Sequence, residues 1–400
     1  MGDRTGPVST VQGLGQTPLM WSTVEARRLF SLRREPPLES DEIVTAFRDG
    51  VVTKRSDRRT EGFTQALKET GYQHVAAGDL VVHSMDGFAG AIGVADSDGK
   101  MSPVANIYKV SGDARYFAYT LRSLALSGFV ASLAKGIRER STSFDDATLA
   151  SVELPWPPIH EQRRIADFLD DRVARIDQII TARQHQIRLL YRALASDVAG
   201  LVASDGKDWI TGSLRRFARS CDSLRVPLNS EERAKRRGKY PYFGASGVID
   251  HVDDYLFDGP KVLVSEDGAN LLLRSTAIAF VADGQYWVNN HAHILEPFDG
   301  AHDFWAARIE ALDISPWVTG SAQPKLTIDA AMALPMSAPA QVDTRRALGR
   351  QVVDARAAVE KRAWALEKSG TLLQEYKQSL ITAAVTGELD VTTAGSGIPG

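Results

Sequence analysis

The stretch that decides the fold is LPWPPIHEQRRIADFLDDRVARIDQIITARQHQIRLLYRALASDVAG, residues 154–200. Prolines stand near its start, and the sequence then contains no proline or glycine until Gly200. Its apolar residues recur in alternating steps of four and three, a series that only Arg183 interrupts: Leu169, Val173, Ile176, Ile180, Ile187, Leu190 and Leu194. This heptad pattern predicts one long helix, roughly 60 Å in length at 1.5 Å per residue, with an apolar seam for a partner helix.

Composition excludes several classes of protein. The chain has 400 residues, of which 44% are hydrophobic and 24% charged, and this suits two or three globular domains. The single Cys221 excludes a disulfide framework within the chain and predicts a cytoplasmic protein. Because no apolar run reaches about 18 residues, we expect no contact with a membrane. A net charge of -3 neither indicates nor excludes a nucleic-acid partner, since a local basic patch matters more than the total.

The plan around the long helix occurs twice in the chain. Leu154-Pro155 matches Leu334-Pro335, and short β-prone runs precede both pairs. A second helical pattern covers 341–386, with apolar residues seven apart at Val352, Val359, Leu366, Leu373 and Leu380. Gly200 and Gly387 are suited to end the two helices as C-cap residues. The pattern predicts a tandem repeat of a globular head followed by a long helix.

The predicted fold class is α+β. Two mixed α/β recognition domains form a pseudo-twofold repeat and are separated by an antiparallel coiled coil of two long helices. The predicted segments are a disordered tail (1–18), a first head (19–153), a first long helix (154–200), a second head (205–333), a second long helix (334–390) and a disordered tail (391–400). Two heads on a rigid spacer suit a bipartite DNA site, because recognition surfaces on duplex DNA repeat every 34–36 Å. A helical hairpin that only dimerises the protein is the alternative.

Basic loops in both heads predict DNA contact. Cationic side chains next to aromatic ones suit phosphate contact, and Gln or Arg beside small polar residues suits base edges. The alternative is that these are ordinary solvated loops. The candidates in the first head are Lys54, Arg55, Arg58, Arg59, Arg138 and Arg140, and those in the second are Arg233, Lys235, Arg236, Arg237, Lys239, Tyr240, Tyr242, Gln323 and Lys325.

Motifs for catalysis are missing from the sequence. It contains no phosphate loop, and the HEQRR run lacks the second histidine of a zinc-protease helix. His291 and His293 have strand spacing, but no cysteine or nearby acid completes a metal set. The acids Asp253, Asp254, Glu266 and Asp267 could ligate Mg²⁺ in a nuclease, although we favour turn carboxylates. We therefore expect a chain that is not an enzyme and that holds no cofactor or metal.

Several segments resemble one known family in its order of motifs. PPIHEQRRIADFLDDRVARIDQII (157–180) resembles the central conserved region of the specificity (S) subunits of type I restriction-modification enzymes. The segments 240–268 and GSAQPKLTI (320–328) resemble target-recognition motifs of that family, and so do 72–85, 90–94 and 98–104 in the first head. The resemblance covers about 20–390. In the second conserved region Asp343-Thr344 replaces Glu161-Gln162, which puts an identical contact there in doubt.

The resemblance implies a DNA-reading subunit that carries no chemistry of its own. Its partners would be double-stranded DNA, two modification subunits that use S-adenosylmethionine, and two restriction subunits that use ATP and Mg²⁺. The conserved regions would dock the methyltransferase subunits through Trp156, Glu161, Gln162, Arg163, Arg164, Arg345 and Arg346. For Trp156 a packing role at the helix start is the favoured alternative. Two other hypotheses stay open: an assembly scaffold whose heads bind protein, and an enzyme with an undetected site.

Overall fold

The computed structural model describes residues 8–18, 21–58, 70–129, 144–203, 208–320 and 323–394. The chain divides into two compact units. The first unit comprises Met1–Ala182 and Ser369–Gly400, and the second comprises Arg183–Lys368. Both units contain parts of two long helices. The first long helix spans Ile159–Val202 and the second spans Val342–Thr386. The predicted fold class is confirmed, because two sheet-rich domains are separated along the chain by a long helix.

The ends of the long helices differ in part from the prediction. The first begins at Ile159 rather than at 154, because Glu153–Trp156 forms a strand and two prolines follow it. It runs past Gly200 to Val202, so the prediction of Gly200 as its C-cap is wrong. Gly387 has a φ of 75° directly after the second long helix, as expected for a C-cap glycine.

The first unit is built on a four-stranded antiparallel sheet, the scaffold sheet of the first head. Its strand order is β4-β11-β8-β9. The helix Ala114–Leu126 packs on this sheet and begins at Asp113, whose carboxylate accepts hydrogen bonds from two backbone N–H groups of the first turn. The unit's strands are β1 (Val8–Val11), β2 (Gly15–Pro18), β3 (Ser22–Glu25), β4 (Phe30–Leu32), β5 (Val44–Ala46), β6 (Val52–Lys54), β7 (Gln73–Val75), β8 (Leu80–His83), β9 (Ile92–Val94), β10 (Gly99–Met101), β11 (Ala105–Val110) and β12 (Glu153–Trp156); a short helix spans Asp146–Ala150.

The second unit repeats this topology. Its scaffold sheet has the order β14-β21-β18-β19, and the helix His302–Glu310 packs on it. In both units the strand before the long helix pairs with the strand that opens the head, β12 with β3 and β22 with β13. The strands are β13 (Trp209–Ser213), β14 (Ala218–Ser220), β15 (Arg237–Gly244), β16 (Gly247–Val252), β17 (Phe257–Asp258), β18 (Lys261–Ser265), β19 (Ala279–Ala282), β20 (Gln285–Val288), β21 (Ala292–Pro297) and β22 (Pro335–Pro339); short helices span Ser230–Lys235, Asn270–Leu273 and Ile328–Ala333.

The heads differ in what is inserted between the first two strands of the scaffold sheet. In the first head, residues 33–79 contribute the hairpin β5-β6 and the strand β7, which pairs with β10. In the second head, residues 221–260 contribute most of a second four-stranded sheet with the order β16-β15-β20-β17. Each head therefore combines a shared scaffold with an insert of its own.

The prediction of a disordered tail over 1–18 is wrong for residues 8–18. These residues form the antiparallel hairpin β1-β2, whose Val11 is buried in the first core. Gly13 has a φ of 81° in the turn and lies under the ring of Phe129, so only glycine fits there. Of the predicted tail 391–400, Val391 packs partly on the same core. Residues 1–7 and 395–400 lie outside the described residues.

In each unit the two long helices pack antiparallel along their apolar seams. In the first unit Lys377 Nζ of the second long helix lies 2.6 Å from Asp177 Oδ1 of the first. Gly387, directly after the second long helix, lies near Trp21. The indole N–H of Trp21 donates to Glu161, which lies at the start of the first long helix. The buried seam residues there are Leu169, Ile176, Ile180, Leu373 and Leu380. In the second unit Val198, Val202 and Val352 share one core. Within the described residues, no helix is long and apolar enough to cross a membrane.

Candidate nucleic-acid interface

The scaffold sheet of the second head has two ends with different surroundings. Strand register pairs Ser265 with Ala292 at one end, and Lys261 and Pro297 lie at the other. Asp299, just beyond Pro297, forms an ion pair with Arg345 of the second long helix. We call the end with Pro297 the helix end and the end with Ser265 the distal end. A ligand that binds the head on the side away from the long helix would meet the distal end.

Three loops converge at the distal end. The hairpin β15-β16 brings its tip there, because the Ser265 hydroxyl donates to the Ala245 carbonyl at 2.6 Å. The loop that carries Gln323 and Lys325 is held by two backbone bonds, Leu326 N–H to Glu266 O at 2.8 Å and Gly268 N–H to Pro324 O at 3.0 Å. The third loop is the turn before β21, which carries His291.

Charges at the distal end are paired with one another. Arg225 contacts Asp222 at 3.1 Å and Glu266 at 2.9 Å, and Lys325 contacts Glu266 at 3.2 Å. Burial acts to raise the pKa of Asp222, but hydrogen bonds from His293 and a backbone N–H, with nearby positive charge, hold that pKa below its usual value. Burial also opposes ionisation of Glu266, and Arg225, His293 and Lys325 lower its pKa. The carboxylates at this end therefore add little net negative charge.

Asp222, Glu266 and His293 lie close enough together to suggest a metal site. The ring of His293 is already engaged at both nitrogens, with Nδ1 2.6 Å from Asp222 Oδ2 and Nε2 2.8 Å from the Leu326 carbonyl. A carbonyl oxygen only accepts, so Nε2 carries a proton and offers no lone pair to a metal. Arg225 and Lys325 already supply the positive charge beside Asp222 and Glu266 that a metal ion would otherwise supply. The cluster instead ties β21 to the loop that ends at Leu326.

The other acids considered for Mg²⁺ are also paired with cationic or potentially cationic groups. Asp253 receives the guanidinium of Arg236 at 2.9 Å, and Asp254 lies 3.7 Å from it. Asp267 accepts from His291 Nδ1 at 2.9 Å. These carboxylates form separate contacts in separate turns, in line with the interpretation as turn and loop residues.

The basic loop of the second head is partly available for DNA. Lys235, Arg237 and Lys239 are exposed, and among the residues that the structure describes Lys235 and Arg237 form no ion pair. Arg236 packs over Trp287 at 4.8 Å and pairs with Asp253. Tyr240 is half-buried, between Lys239 and Tyr255.

Tyr242 is not available to DNA, and its prediction as a DNA contact is wrong. The side chain is fully buried. Its hydroxyl accepts from the Leu228 N–H at 2.9 Å and donates to the Leu228 carbonyl at 3.2 Å. Arg233 lies over the ring at 5.2 Å and pairs with Asp250. Because β15 is a central strand of the second sheet, with β20 at its side, this aromatic residue belongs to a core.

The cations and the distal loops do not meet at one point. Arg237 pairs with Val252 at the far end of the hairpin, while Gly244 pairs with Gly247 at its tip. Seven residue steps separate Arg237 from Gly244, a length of ~23 Å along a strand. Gln323 is exposed at the distal end, and Lys325 is half-exposed there although it pairs with Glu266.

The basic loop of the first head is largely neutralised within the head. Lys54 pairs with Glu42 at 2.6 Å, and Arg55 donates to the Thr45 hydroxyl at 3.1 Å. Arg58 pairs with Asp49, whose pKa this contact lowers, and it packs over the ring of Phe47. The structure brings Lys54 and Arg58 to acids and Arg55 to a hydroxyl, so their contact with DNA stays a prediction. Arg59, Arg138 and Arg140 lie outside the described residues.

Two of the predicted partner-binding residues are buried and serve the fold instead. Gln162 is fully buried; its side chain donates to the Pro157 carbonyl at 2.8 Å and accepts from the Asp113 N–H at 3.0 Å. Arg345 is 6% exposed; besides Asp299 it binds the Pro339 carbonyl at 2.6 Å and the Ala340 carbonyl at 3.1 Å. Neither side chain can reach a partner, so both predictions are wrong.

The remaining partner candidates lie at or near the surface. Arg163 and Arg164 are exposed, and Glu161 accepts from the indole N–H of Trp21 at 3.2 Å. Arg346 donates to the Asp299 carbonyl at 2.7 Å. Trp156 stacks on Phe117 with ring centroids 5.9 Å apart, which agrees with a packing role.

The structure also corrects the match between the two helix starts. Gln162 and Arg345 are each the fourth residue of their long helix. The repeat therefore aligns Glu161-Gln162 with Thr344-Arg345 rather than with Asp343-Thr344. It aligns Arg163 with Arg346. The match by sequence, which sets Arg163-Arg164 against Arg345-Arg346, is therefore one residue out.

Sequence reasoning missed the residues that build the distal end. Ser265, Asn289 and Arg225 hold the hairpin tip and the loops in place, and none was a candidate. Gly244-Ala245-Ser246-Gly247 lies between two β-prone runs, which is a hairpin signal that the sequence did offer.

Comparisons with known proteins agree with this architecture. Residues 207–340 match the family described as "Type I restriction modification DNA specificity domain". The chain is 29% identical over 127 residues to the "Putative type I restriction enzyme specificity subunit S.HindORF215P" of Haemophilus influenzae, a match that spans 32% of this chain and 32% of that protein. The chain thus aligns with about a third of the length of that curated relative.

One solved structure extends the likeness in fold to nearly the whole chain. A chain described under "Structural basis underlying complex assembly and conformational transition of the type I R-M system" is similar with a TM-score of 0.69 and 13% identity, over 93% of this chain and 99% of that one. The "HsdS subunit from Thermoanaerobacter tengcongensis" gives a TM-score of 0.49, 13% identity and coverage of 93% and 98%.

The second head thus resembles the DNA specificity domain of type I restriction-modification systems. The predicted resemblance of the chain to the specificity subunits of these enzymes is confirmed.

Proposed function

We propose that this chain is the DNA sequence-specificity subunit of a type I restriction-modification complex. Each of its two heads reads one half of a bipartite target in double-stranded DNA. The observation that carries the proposal is the repeat: one scaffold topology followed by one long helix, twice, with the specificity-domain match on the second copy. Two reading heads in one chain suit a split target better than a single contiguous one.

Recognition proceeds in two layers. Exposed cations such as Lys235, Arg237 and Lys239 contact phosphates and give salt-dependent affinity without sequence preference. Side chains at the distal ends then discriminate bases by their edges. The acids near these surfaces are paired with cations, so they do not repel the phosphate backbone.

The long helices dock two methyltransferase subunits, and restriction subunits join that assembly. The chain itself is non-catalytic. S-adenosylmethionine is held by the modification subunits, and ATP and Mg²⁺ by the restriction subunits. The complex acts on DNA in the cytoplasm. The exposed Arg163 and Arg164 at the start of the first long helix support docking there, because nothing else in the described structure engages them.

Exchanging one head for that of another specificity subunit tests the proposal. Sequencing of methylated adenines in a host that carries the system should show a new sequence in one half of the target and the old one in the other half. An unchanged methylated sequence would contradict the proposal. If DNA crosslinks in the assembled complex map only to partner chains, the scaffold hypothesis replaces it.

A further inference from the structure

The tip of the hairpin β15-β16 is an apolar projection at the distal end of the second head. Val248 is 47% exposed and Ile249 is 55% exposed. They follow Gly247, which has a φ of 129° and open space where a Cβ would stand. A ligand that covers these two side chains would gain from their burial, because each apolar Å² removed from water contributes about 25 cal/mol.

The tip is held in place. The Ser265 hydroxyl donates to the Ala245 carbonyl at 2.6 Å, and the Asn289 N–H donates to the Phe243 carbonyl at 2.9 Å. Ile249 packs over Gly244, where a Cβ would lie 3.0 Å from its methyl group. These contacts leave the tip rigid before any ligand arrives, so binding costs little ordering of the loop.

The surroundings indicate which ligand would cover the tip. Glu266 and Asp267, next to Ser265, are paired with Arg225, Lys325 and His291. Farther down the same hairpin the exposed Arg237 and Lys239 stand ~23 Å and ~17 Å from the tip, counted as strand length. The hairpin forms one edge of a four-stranded sheet, because β20 pairs with β15 on the other side. Its apolar tip, rather than the sheet, is therefore the part suited to the major groove, where thymine offers a methyl group and the flanking phosphates would lie toward the cations of the stem.

We propose that Val248 and Ile249 are specificity-determining residues, which contact thymine methyl groups in the major groove of the half-site read by the second head. The inference rests on the function proposed above and adds to it the reading element and the chemistry that it reads. A protein partner on the same surface is the competing outcome, and the experiment distinguishes the two.

The test uses the complex of the full chain with its methyltransferase subunits and duplexes of the methylated sequence. Each thymine of the half-site is replaced by deoxyuridine, which removes one methyl group and keeps the base pair. For the unmodified complex, affinity should fall about fourfold at a contacted thymine, the fold-change of one buried methyl. In the variant Val248→Ser/Ile249→Ser the same replacement should change affinity less than twofold. Phe298→Ser is the matched control, because Phe298 is 64% exposed at the helix end of the same head.

Three results would overturn the inference. The first is a complex that is insensitive to deoxyuridine at every thymine of that half-site. The second is a fourfold loss that persists in the double variant. The third is loss of a protein partner from the variant complex while its sensitivity to deoxyuridine is unchanged.

The head exchange described above separates this inference from the proposed function. If the exchange alters the methylated sequence while the hairpin variant reads every base as before, only the inference fails. If the exchange alters nothing, the proposed function fails first.

Discussion

Gln162 and Arg345 occupy the same position in two copies of one structural unit. Each is the fourth residue of its long helix and is buried, and each binds a backbone carbonyl just before that helix. Each also contacts the loop before the helix that covers the scaffold sheet, through Asp113 or Asp299. The amide of Gln162 and the guanidinium of Arg345 thus both connect the start of a long helix to the loop before the helix on the scaffold sheet. Arg345 does so through a buried ion pair.

Substitution Arg345→Ala should lower the free energy of unfolding by about 3 kcal/mol, because it leaves Asp299 as an uncompensated, largely buried carboxylate. Arg346→Ala is the control. Its side chain is half-exposed, and its partners within the described part of the chain are the Asp299 carbonyl and, at 3.8 Å, Asp343, so its loss should cost less than about 1 kcal/mol. Chemical denaturation of the two variants measures the difference. Equal losses would show that burial of Arg345 has no energetic role.

Acid should weaken the distal end of the second head through Asp222. The folded pKa of this carboxyl lies below its ordinary value of 3.8, so its ionised form stabilises the fold above that pH, and the stabilisation is lost as pH falls through the folded value. In Asp222→Asn the free energy of unfolding should therefore be reduced at pH 7 and approach that of the unmodified chain once the pH falls below the folded pKa of Asp222.

Asp258→Asn is the matched control for acid sensitivity, since Asp258 is exposed and its carboxylate accepts from the Gln285 side chain at 3.1 Å rather than from a cation among the described residues. Urea titrations at the two pH values give both results. A deficit in Asp222→Asn that stays constant with pH would contradict the assignment.

The unpaired cations of the second head should set the salt dependence of DNA binding. Replacing Lys235, Arg237 and Lys239 by Ala should reduce the slope of log affinity against log salt by up to about 3, since each phosphate contact contributes roughly 0.9. Base preference should not change. Arg219→Ala controls for loss of a cation, because Arg219 is exposed but pairs with Glu296 at 2.5 Å. An unchanged slope in the triple variant would remove these residues from the interface.

Charge reversal at Arg163 and Arg164 should disrupt assembly with the methyltransferase subunits. Both are exposed, and the structure gives them no role in the fold within its described residues. Arg163→Glu/Arg164→Glu should reduce co-purification of the partner about tenfold or more while the melting temperature of the chain stays the same. Arg175→Glu, about three turns farther along the helix and paired with Asp171 at 2.8 Å, is the comparison. If both variants lose the partner equally, the helix start is not a specific docking site.

The repeat and both long helices could be predicted because they depend on periodic apolar residues and on glycine at Gly387. The buried state of Tyr242, Gln162 and Arg345 could not. Each of these side chains is polar or amphipathic, and its burial depends on a partner distant in sequence: Arg345 on Asp299, and Gln162 on Asp113. A single sequence gives no sign of which acid will meet which cation. For the same reason the sequence predicted that Lys54 and Arg58 contact DNA, whereas in the structure Glu42 and Asp49 neutralise these two cations.

The two heads keep one scaffold sheet and differ in what joins its first two strands. Leu32 and Leu80 bound the joining segment in the first head, and Ser220 and Lys261 bound it in the second. Recombination at these boundaries would exchange the insert as a cassette while β3, β12 and the long helix stay with their own contacts. On the function proposed above, such an exchange would change the half-site that one head reads without altering the surface that the methyltransferase subunits have to fit.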